Sequence, residues 1–222
     1  MNLADALEIR PGLTSIIGSG GKSTMLGVLG RELARRGRVI LCTTAKMYAV
    51  PGFPLLLSPD ANALEAALSA HGAVCAGSLL NETGKLIRPE IPMETLLSLC
   101  DYVIAEADGS AGLPLKAHAA HEPPVDPRSG RSIMLVGANG LGLPIERSAH
   151  RAEIFARIAG CSVRDEATPQ RTARVLISEG LYTRVFINRF ESAPGAAREL
   201  AALLDCPVLG GELREGRFAS LS

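Results

Sequence analysis

Short runs of consecutive apolar residues alternate along the chain with segments whose apolar residues recur every three or four positions. LTSIIG (13–18) is the first such run and reads as a buried strand. KSTMLGVLGRELARR (22–36) follows, with Leu26, Leu29 and Leu33 at helical spacing and Gly37 where a helix C-terminal glycine belongs. RVILCTT (38–44) is a second buried strand, so the start of the chain reads as strand, loop, helix, parallel strand. The pattern then predicts a helix over 62–71, a strand over 73–80, a hairpin turn at NETGK (81–85), a helix over 93–100 and, in DYVIAEADGS (101–110), a strong strand running into a loop. Residues 112–127 are rich in proline, histidine and alanine and read as an irregular loop. A strand at 132–138, helices near 149–159 and 169–179, a strand at 184–190, a helix near 195–204 and a strand at 207–211 complete the alternation. Thr168 and Pro169 open the second of those helices as N-cap and first-turn residues.

Composition narrows the classes. The chain has 222 residues, 47% of them apolar and 4% aromatic, with zero formal net charge, so it can bury a core of aliphatic side chains. No basic stretch interleaves with aromatics, which argues against nucleic acid as the main partner. The start carries acids and lacks the basic head and apolar run of a signal peptide, and no apolar stretch reaches membrane-spanning length, so a cytoplasmic protein is expected. Its five cysteines are scattered singly and read as small buried hydrophobes of a reduced compartment. Of 23 basic residues only Lys22, Lys46, Lys85 and Lys116 are lysine, and three of these fall in the candidate loops below.

Gly18-Ser19-Gly20-Gly21-Lys22-Ser23-Thr24 joins a strand to a helix and departs from the common phosphate loop, because Ile16 stands where that loop has glycine. The chemistry still fits an anion: glycines allow close backbone approach, and the helix start aims N–H groups at it. Lys22 is expected on the outer phosphates and the Ser23 hydroxyl on Mg²⁺. The shorter G-x-x-G-K-[ST] spacing also occurs in the amide ligases of cell-wall assembly. A dinucleotide loop is disfavoured, since the second strand ends in Cys42-Thr43-Thr44 without the acid a ribose needs. These features predict an α/β fold, a three-layer P-loop NTPase-like domain with a mostly parallel sheet. It is read as a single domain over 1–222, with a small antiparallel edge or insertion at about 75–92.

Glu106 and Asp108 stand two apart at the end of a buried run, where strand alternation directs both to one face as candidate metal ligands. A capped strand end with solvated carboxylates is the alternative. GLPLKAHAAHEPP (112–124) offers Lys116, His118, His121 and Glu122 as phosphate ligand, general base or substrate contact; a solvated loop with incidental histidines fits equally. His118 and His121 are three apart, with no third ligand at a zinc-like spacing. Lys46 in TTAKM (43–47) lies at a strand end where α/β sheets bind ligands. FINRFE (186–191) echoes the Asn-Lys-x-Asp element that reads guanine, but Arg189 and Glu191 replace the lysine and aspartate, leaving Asn188 as a candidate base contact. GANGLGLPIERSAHR (137–151) is a glycine-rich loop ending in His150 and Arg151, with Arg151 a candidate arginine finger.

Together GSGGKST, TTAKM, EADGSAGLPLKAHAAHEP and NRFE resemble the YqeC-type accessory proteins of selenium-dependent molybdenum hydroxylases, over about residues 10–210. The resemblance implies a nucleotide-binding protein acting in the maturation of molybdenum hydroxylases. It places Gly21, Lys22 and Ser23 at the nucleotide, Glu106 and Asp108 near the metal, and Lys116, His121 and Glu122 at a substrate end. The expectation is therefore Mg²⁺-dependent binding of ATP or GTP with hydrolysis or phosphoryl transfer, and a molybdenum hydroxylase or its cofactor as partner. Catalytic roles are expected of Lys22, Asp108, Lys116, His121 and Glu122. Two alternatives stand beside it: a non-catalytic, nucleotide-gated delivery or chaperone module, and an acyl-phosphate ligase, for whose substrate-recognition domains this chain has no room.

Overall fold

A computed structural model of the chain describes residues 1–80, 84–122 and 125–222. The chain divides into two compact units, Met1–Ile16 with Ser23–Asp108 and Pro124–Arg131, and Ile17–Lys22 with Gly109–Pro123 and Ser132–Ser222.

The first unit begins with α1 (Leu3–Ala6), capped by the Asn2 side chain, which accepts from the Asp5 N–H. Its strands are β1 (Gly12–Gly18), β2 (Val39–Thr43), β3 (Lys46–Met47), β4 (Leu55–Leu57), β5 (Ala73–Leu80), β6 (Lys85–Ile87) and β7 (Tyr102–Glu106). Helices α2 (Lys22–Leu33), α3 (Ala61–His71) and α4 (Met93–Leu99) connect them. β7 runs parallel between β1 and β2, and β5 adds to β2 in parallel. Every residue of β2 and β7 is buried, which is why both read as unbroken runs rather than as alternation. On α2, Met25, Leu26, Leu29 and Leu33 are wholly buried, so the predicted stripe is the helix's packing face. Val103 and Ala105 of β7 join Ile40 and Cys42 of β2 in a core sealed by Leu64 and Leu68 of α3 and Met93 and Leu96 of α4.

The expected antiparallel edge is present: β6 pairs antiparallel with β5, and β3 antiparallel with β6. The turn expected at 81–85 falls mostly on residues 81–83, outside the described residues. The strand expected to run into a loop within 101–110 ends at Glu106. Its pairing persists one step further, where the Ala107 N–H donates to the Ile16 carbonyl at 2.9 Å.

The second unit holds β8 (Leu115–Lys116), α5 (Ile145–Ser148), β10 (Ala149–His150), α6 (Ala152–Ala159), α7 (Pro169–Glu179), β11 (Arg184–Asn188), α8 (Pro194–Ala202), β12 (Val208–Glu212) and β13 (Arg217–Ser220), with the greater part of β9 (Ser129–Gly137). β11 lies parallel to both β9 and β12, and β13 closes the edge antiparallel to β12. Thr168 caps α7 as expected, its hydroxyl accepting from the Arg171 N–H at 3.3 Å. Phe155 of α6 and Phe186 of β11 are the largest wholly buried side chains. Two details differ from the sequence pattern. The helix expected from 149 starts at Ala152, because Ala149 and His150 pair in parallel with Leu115 and Lys116. That same pairing puts a short strand inside the loop expected to be irregular.

The chain thus adopts the α/β class, with mostly parallel strands and a strand–glycine loop–helix start. No helix among the described residues is long and apolar enough to cross a membrane.

Candidate functional site

The glycine loop is shaped by what surrounds it in the second unit. Gly18, Gly20 and Gly21 have φ of +86°, +91° and +134°, a region that side-chain-bearing residues rarely adopt. Space excludes side chains as well: a Cβ on Gly18 would lie 2.3 Å from the Leu135 carbonyl oxygen, and one on Gly20 2.8 Å from the Gly137 backbone. The Ser19 N–H donates to the Leu135 carbonyl at 2.9 Å, fastening the loop to β9. The Ser19 hydroxyl is buried and has no hydrogen-bond partner among the described residues. Lys22 is only 4% exposed and curls back so that Nζ donates to the Gly18 carbonyl at 2.7 Å. A lysine tucked over glycine backbone at a helix start gathers positive charge where the helix already carries its positive end.

Asn188, at the end of β11, braces this loop from the side. Its Nδ2 donates to the Gly20 carbonyl at 2.6 Å, and its Oδ1 accepts from the Leu213 N–H at 3.1 Å. A Cβ on Gly21 would meet that same Nδ2 at 2.6 Å. The carboxamide is thus engaged at both ends by the protein's own backbone. Arg189 and Glu191 beside it are exposed, and Arg189 takes a left-handed conformation with φ of +55°.

In the first unit the candidate metal ligands are Ser23, Glu106 and Asp108. The Ser23 hydroxyl donates to Glu106 Oε2 at 3.3 Å, and both carboxylates are buried. Glu106 is held by the end of β2: the Thr43 hydroxyl and the Thr44 N–H both donate to its backbone carbonyl, at 2.6 and 3.0 Å. The Ala45 N–H donates to the Thr43 hydroxyl at 2.9 Å, so the TTA turn is a clamp on the strand that carries the carboxylate. A hydroxyl and a carboxylate held together form the hard oxygen set that Mg²⁺ accepts. No group of three or more His, Cys, Asp or Glu suited to a metal occurs among the described residues. Thr24 is half-buried in the first turn of α2, and Lys46 is exposed on β3.

The loop after Asp108 places its charged residues unequally. Lys116 is buried on β8, donating to the Gly109 carbonyl at 2.5 Å and lying 3.4 Å from Glu122 Oε2. The Arg151 Nε donates to the same Oε2 at 2.9 Å. Burial pushes the Glu122 carboxyl up, but the Arg151 hydrogen bond and the Lys116 charge outweigh it and hold its pKa down at about 2. Such a group stays ionised at neutral pH and serves as an anchor for cations rather than as a proton carrier. His118 is buried, its Nδ1 2.7 Å from Glu179 Oε2, while its backbone N–H donates to Glu179 Oε1 at 2.6 Å. His121 is exposed, and Pro123 of the same motif lies outside the described residues.

Four supporting residues escaped the sequence reading: Thr43, Leu213, Glu179 and Pro114, whose carbonyl accepts from the Gly137 N–H at 2.8 Å. Only Thr43 carried a sequence signal, as a hydroxyl at a strand end within a candidate motif.

A family model described as YqeC protein matches residues 14–153. Among curated proteins, the YqeC protein of Escherichia coli (strain K12) is 32% identical over 206 residues, covering 84% of this chain and 79% of its own. Among solved structures, the hydrogenase maturation factor HypB from Archaeoglobus fulgidus is similar with a TM-score of 0.46 at 14% identity, over 96% of this chain and 87% of that one. The signal recognition particle 54 kDa protein from Aeropyrum pernix K1, in complex with GDP, gives a TM-score of 0.40 at 15% identity, over 95% of this chain and 44% of that one.

Proposed function

This chain belongs to the YqeC protein family, and from that premise we propose that it binds ATP or GTP with Mg²⁺ and hydrolyses it, or transfers its phosphoryl group, during maturation of a molybdenum hydroxylase. The observation that carries the reading is the loop itself. Three glycines occupy positions that admit no side chain, and a buried lysine folds over them at the start of a helix.

In this reading the backbone N–H groups from Gly20 to Ser23 wrap a phosphate, and Lys22 moves from the Gly18 carbonyl to a phosphate oxygen when nucleotide arrives. Ser23 and Glu106 would hold Mg²⁺, and Asp108, two residues after Glu106, would orient the attacking nucleophile. When bound, the ion offsets the negative charge of the transferring phosphoryl group. The residues themselves position and neutralise, which is where phosphoryl-transfer catalysis resides. Lys116 and His121 belong to the substrate end of the same loop. Glu122, kept ionised, acts there by holding cations in place.

Turnover distinguishes the enzyme from a nucleotide-gated delivery or chaperone module. Phosphate release is measured with ATP and GTP, with and without a purified molybdenum hydroxylase. Sustained release that Asp108→Ala abolishes supports the enzyme. Binding without release under every condition sinks the catalytic half of the proposal.

A further inference from the structure

In the second unit, the parallel pairing of β8 with β10 brings together two residues that the sequence separates by more than thirty positions. Lys116 stands in register with His150, and the next residue is Arg151. Both cations reach Glu122 Oε2, at 3.4 and 2.9 Å, so one carboxylate oxygen is shared by two cations. The Lys116 side chain is 1% exposed.

Arg151 is also held in an unusual conformation. Its φ of +61° and ψ of +51° are left-handed, a strained choice for a long side chain where glycine is the common occupant. It sits at the N-cap of α6, yet its side chain makes no cap hydrogen bond. Its guanidinium meets Glu122, which engages Nε alone. Its two terminal nitrogens have no hydrogen-bond partner among the described residues, and the side chain is 29% exposed. A guanidinium fixed by Nε presents those two nitrogens as a parallel fork, the geometry that a carboxylate or phosphate accepts in two bonds. The cluster also adjoins the glycine loop: Gly18 and Lys116 line one small cavity, and a Cβ on Gly20 would touch the Pro114 carbonyl two residues before Lys116.

We propose that the Arg151 fork, braced by Glu122 beside Lys116, is an oxyanion subsite that takes a carboxylate or phosphate group of the second substrate. The assignment to a second substrate rests on the nucleotide-using reading above; oxyanion binding at Arg151 does not. Glu122 is a positioning residue here, and Arg151 is the ligand-contacting one.

The test uses the full chain and two probes, inorganic phosphate and acetate, titrated while the backbone amide resonances of His150 and Ala152, present in every variant, are followed by NMR. Each titration is repeated in Lys22→Ala, where the glycine loop competes more weakly for phosphate. Saturable shifts are expected with at least one probe, with the same affinity in wild type and Lys22→Ala. Arg151→Lys keeps the charge but not the fork and is expected to weaken that probe about tenfold, the scale of a lost charge-assisted bond. Arg151→Gln is expected to abolish it, and circular dichroism confirms that each variant is folded. A response to phosphate alone, acetate alone or both identifies the group and supports the subsite. No response to either probe overturns it, and so does unchanged affinity in Arg151→Lys. Nucleotide affinity is measured in parallel. If Arg151→Lys weakens nucleotide as much as the probe, Arg151 belongs to the nucleotide and the subsite is refuted. A failure of wild type to bind nucleotide refutes the function above and leaves this result standing.

Discussion

Replacing Asn188 by alanine separates a brace from a base reader. The side chain is 7% exposed and joins the Gly20 carbonyl to the Leu213 N–H. Alanine leaves the buried Leu213 N–H without an acceptor, a loss of roughly 1–3 kcal/mol, and takes the donor from Gly20, roughly another 0.5–1.5 kcal/mol. Together the expected loss is about 2–4 kcal/mol of folding stability, which in a chain of this size lowers Tm by about 5–10 °C. The freed loop must then be reordered by the ligand, so affinity for ATP and GTP is expected to fall together, by about tenfold for each 1.4 kcal/mol of ordering cost. Asn188→Asp keeps the acceptor for Leu213 but sets a carboxylate against the Gly20 carbonyl, and is expected to bind nucleotide more weakly than the alanine variant. Urea unfolding gives the stability and calorimetric titration the affinities. A stability loss below about 0.5 kcal/mol, less than one ordinary hydrogen bond, would refute the brace. A changed ratio of ATP to GTP affinity in Asn188→Ala would return the residue to base recognition.

Three further outcomes follow from the same geometry. A Cβ on Gly37 would fall 2.3 Å from Asp101 Oδ2, which accepts the Arg38 N–H at 2.7 Å, so Gly37→Ala is expected to cost about 1–3 kcal/mol by denaturant unfolding. Glu122 has its pKa lowered from 4.5 to about 2, so its contribution to stability is complete above about pH 4.5 and is lost as pH falls toward 2. Glu122→Gln is expected to flatten the unfolding profile in that window and leave it unchanged above pH 6. Thr43→Val removes the hydroxyl that holds the Glu106 backbone, and is expected to weaken Mg²⁺-dependent nucleotide binding more than binding measured in EDTA.

Legibility followed the range of the interactions. The opening strand, loop, helix and parallel strand were readable because each is a local pattern, buried runs for strands and a three-to-four spacing for α2. Gly37 was readable as special but for the wrong reason: its backbone is not left-handed, and the space is taken by Asp101 instead. Alternation placed Glu106 correctly at a strand end, yet the strand stops there, so Asp108 is positioned by the loop that follows. Asn188 drew attention through a base-reading motif, while its bond to Gly20 spans 168 residues and leaves no local trace. The pairing of β8 with β10 was hidden for a similar reason, since two-residue strands carry no period. Lys116 and Arg151 therefore entered the sequence reading as separate candidates, and only the fold makes them neighbours of one carboxylate.

The most direct measurement is a calorimetric titration of the wild-type chain and Lys22→Ala with ATP and with GTP in the presence of Mg²⁺. Saturable binding of one nucleotide per wild-type chain is expected, weakened in Lys22→Ala by roughly 1.5–3 kcal/mol, the worth of hydrogen bonds to a charged group. Absence of binding by either nucleotide, or equal affinity in the two proteins, would contradict the assignment of the glycine loop as a phosphate cradle.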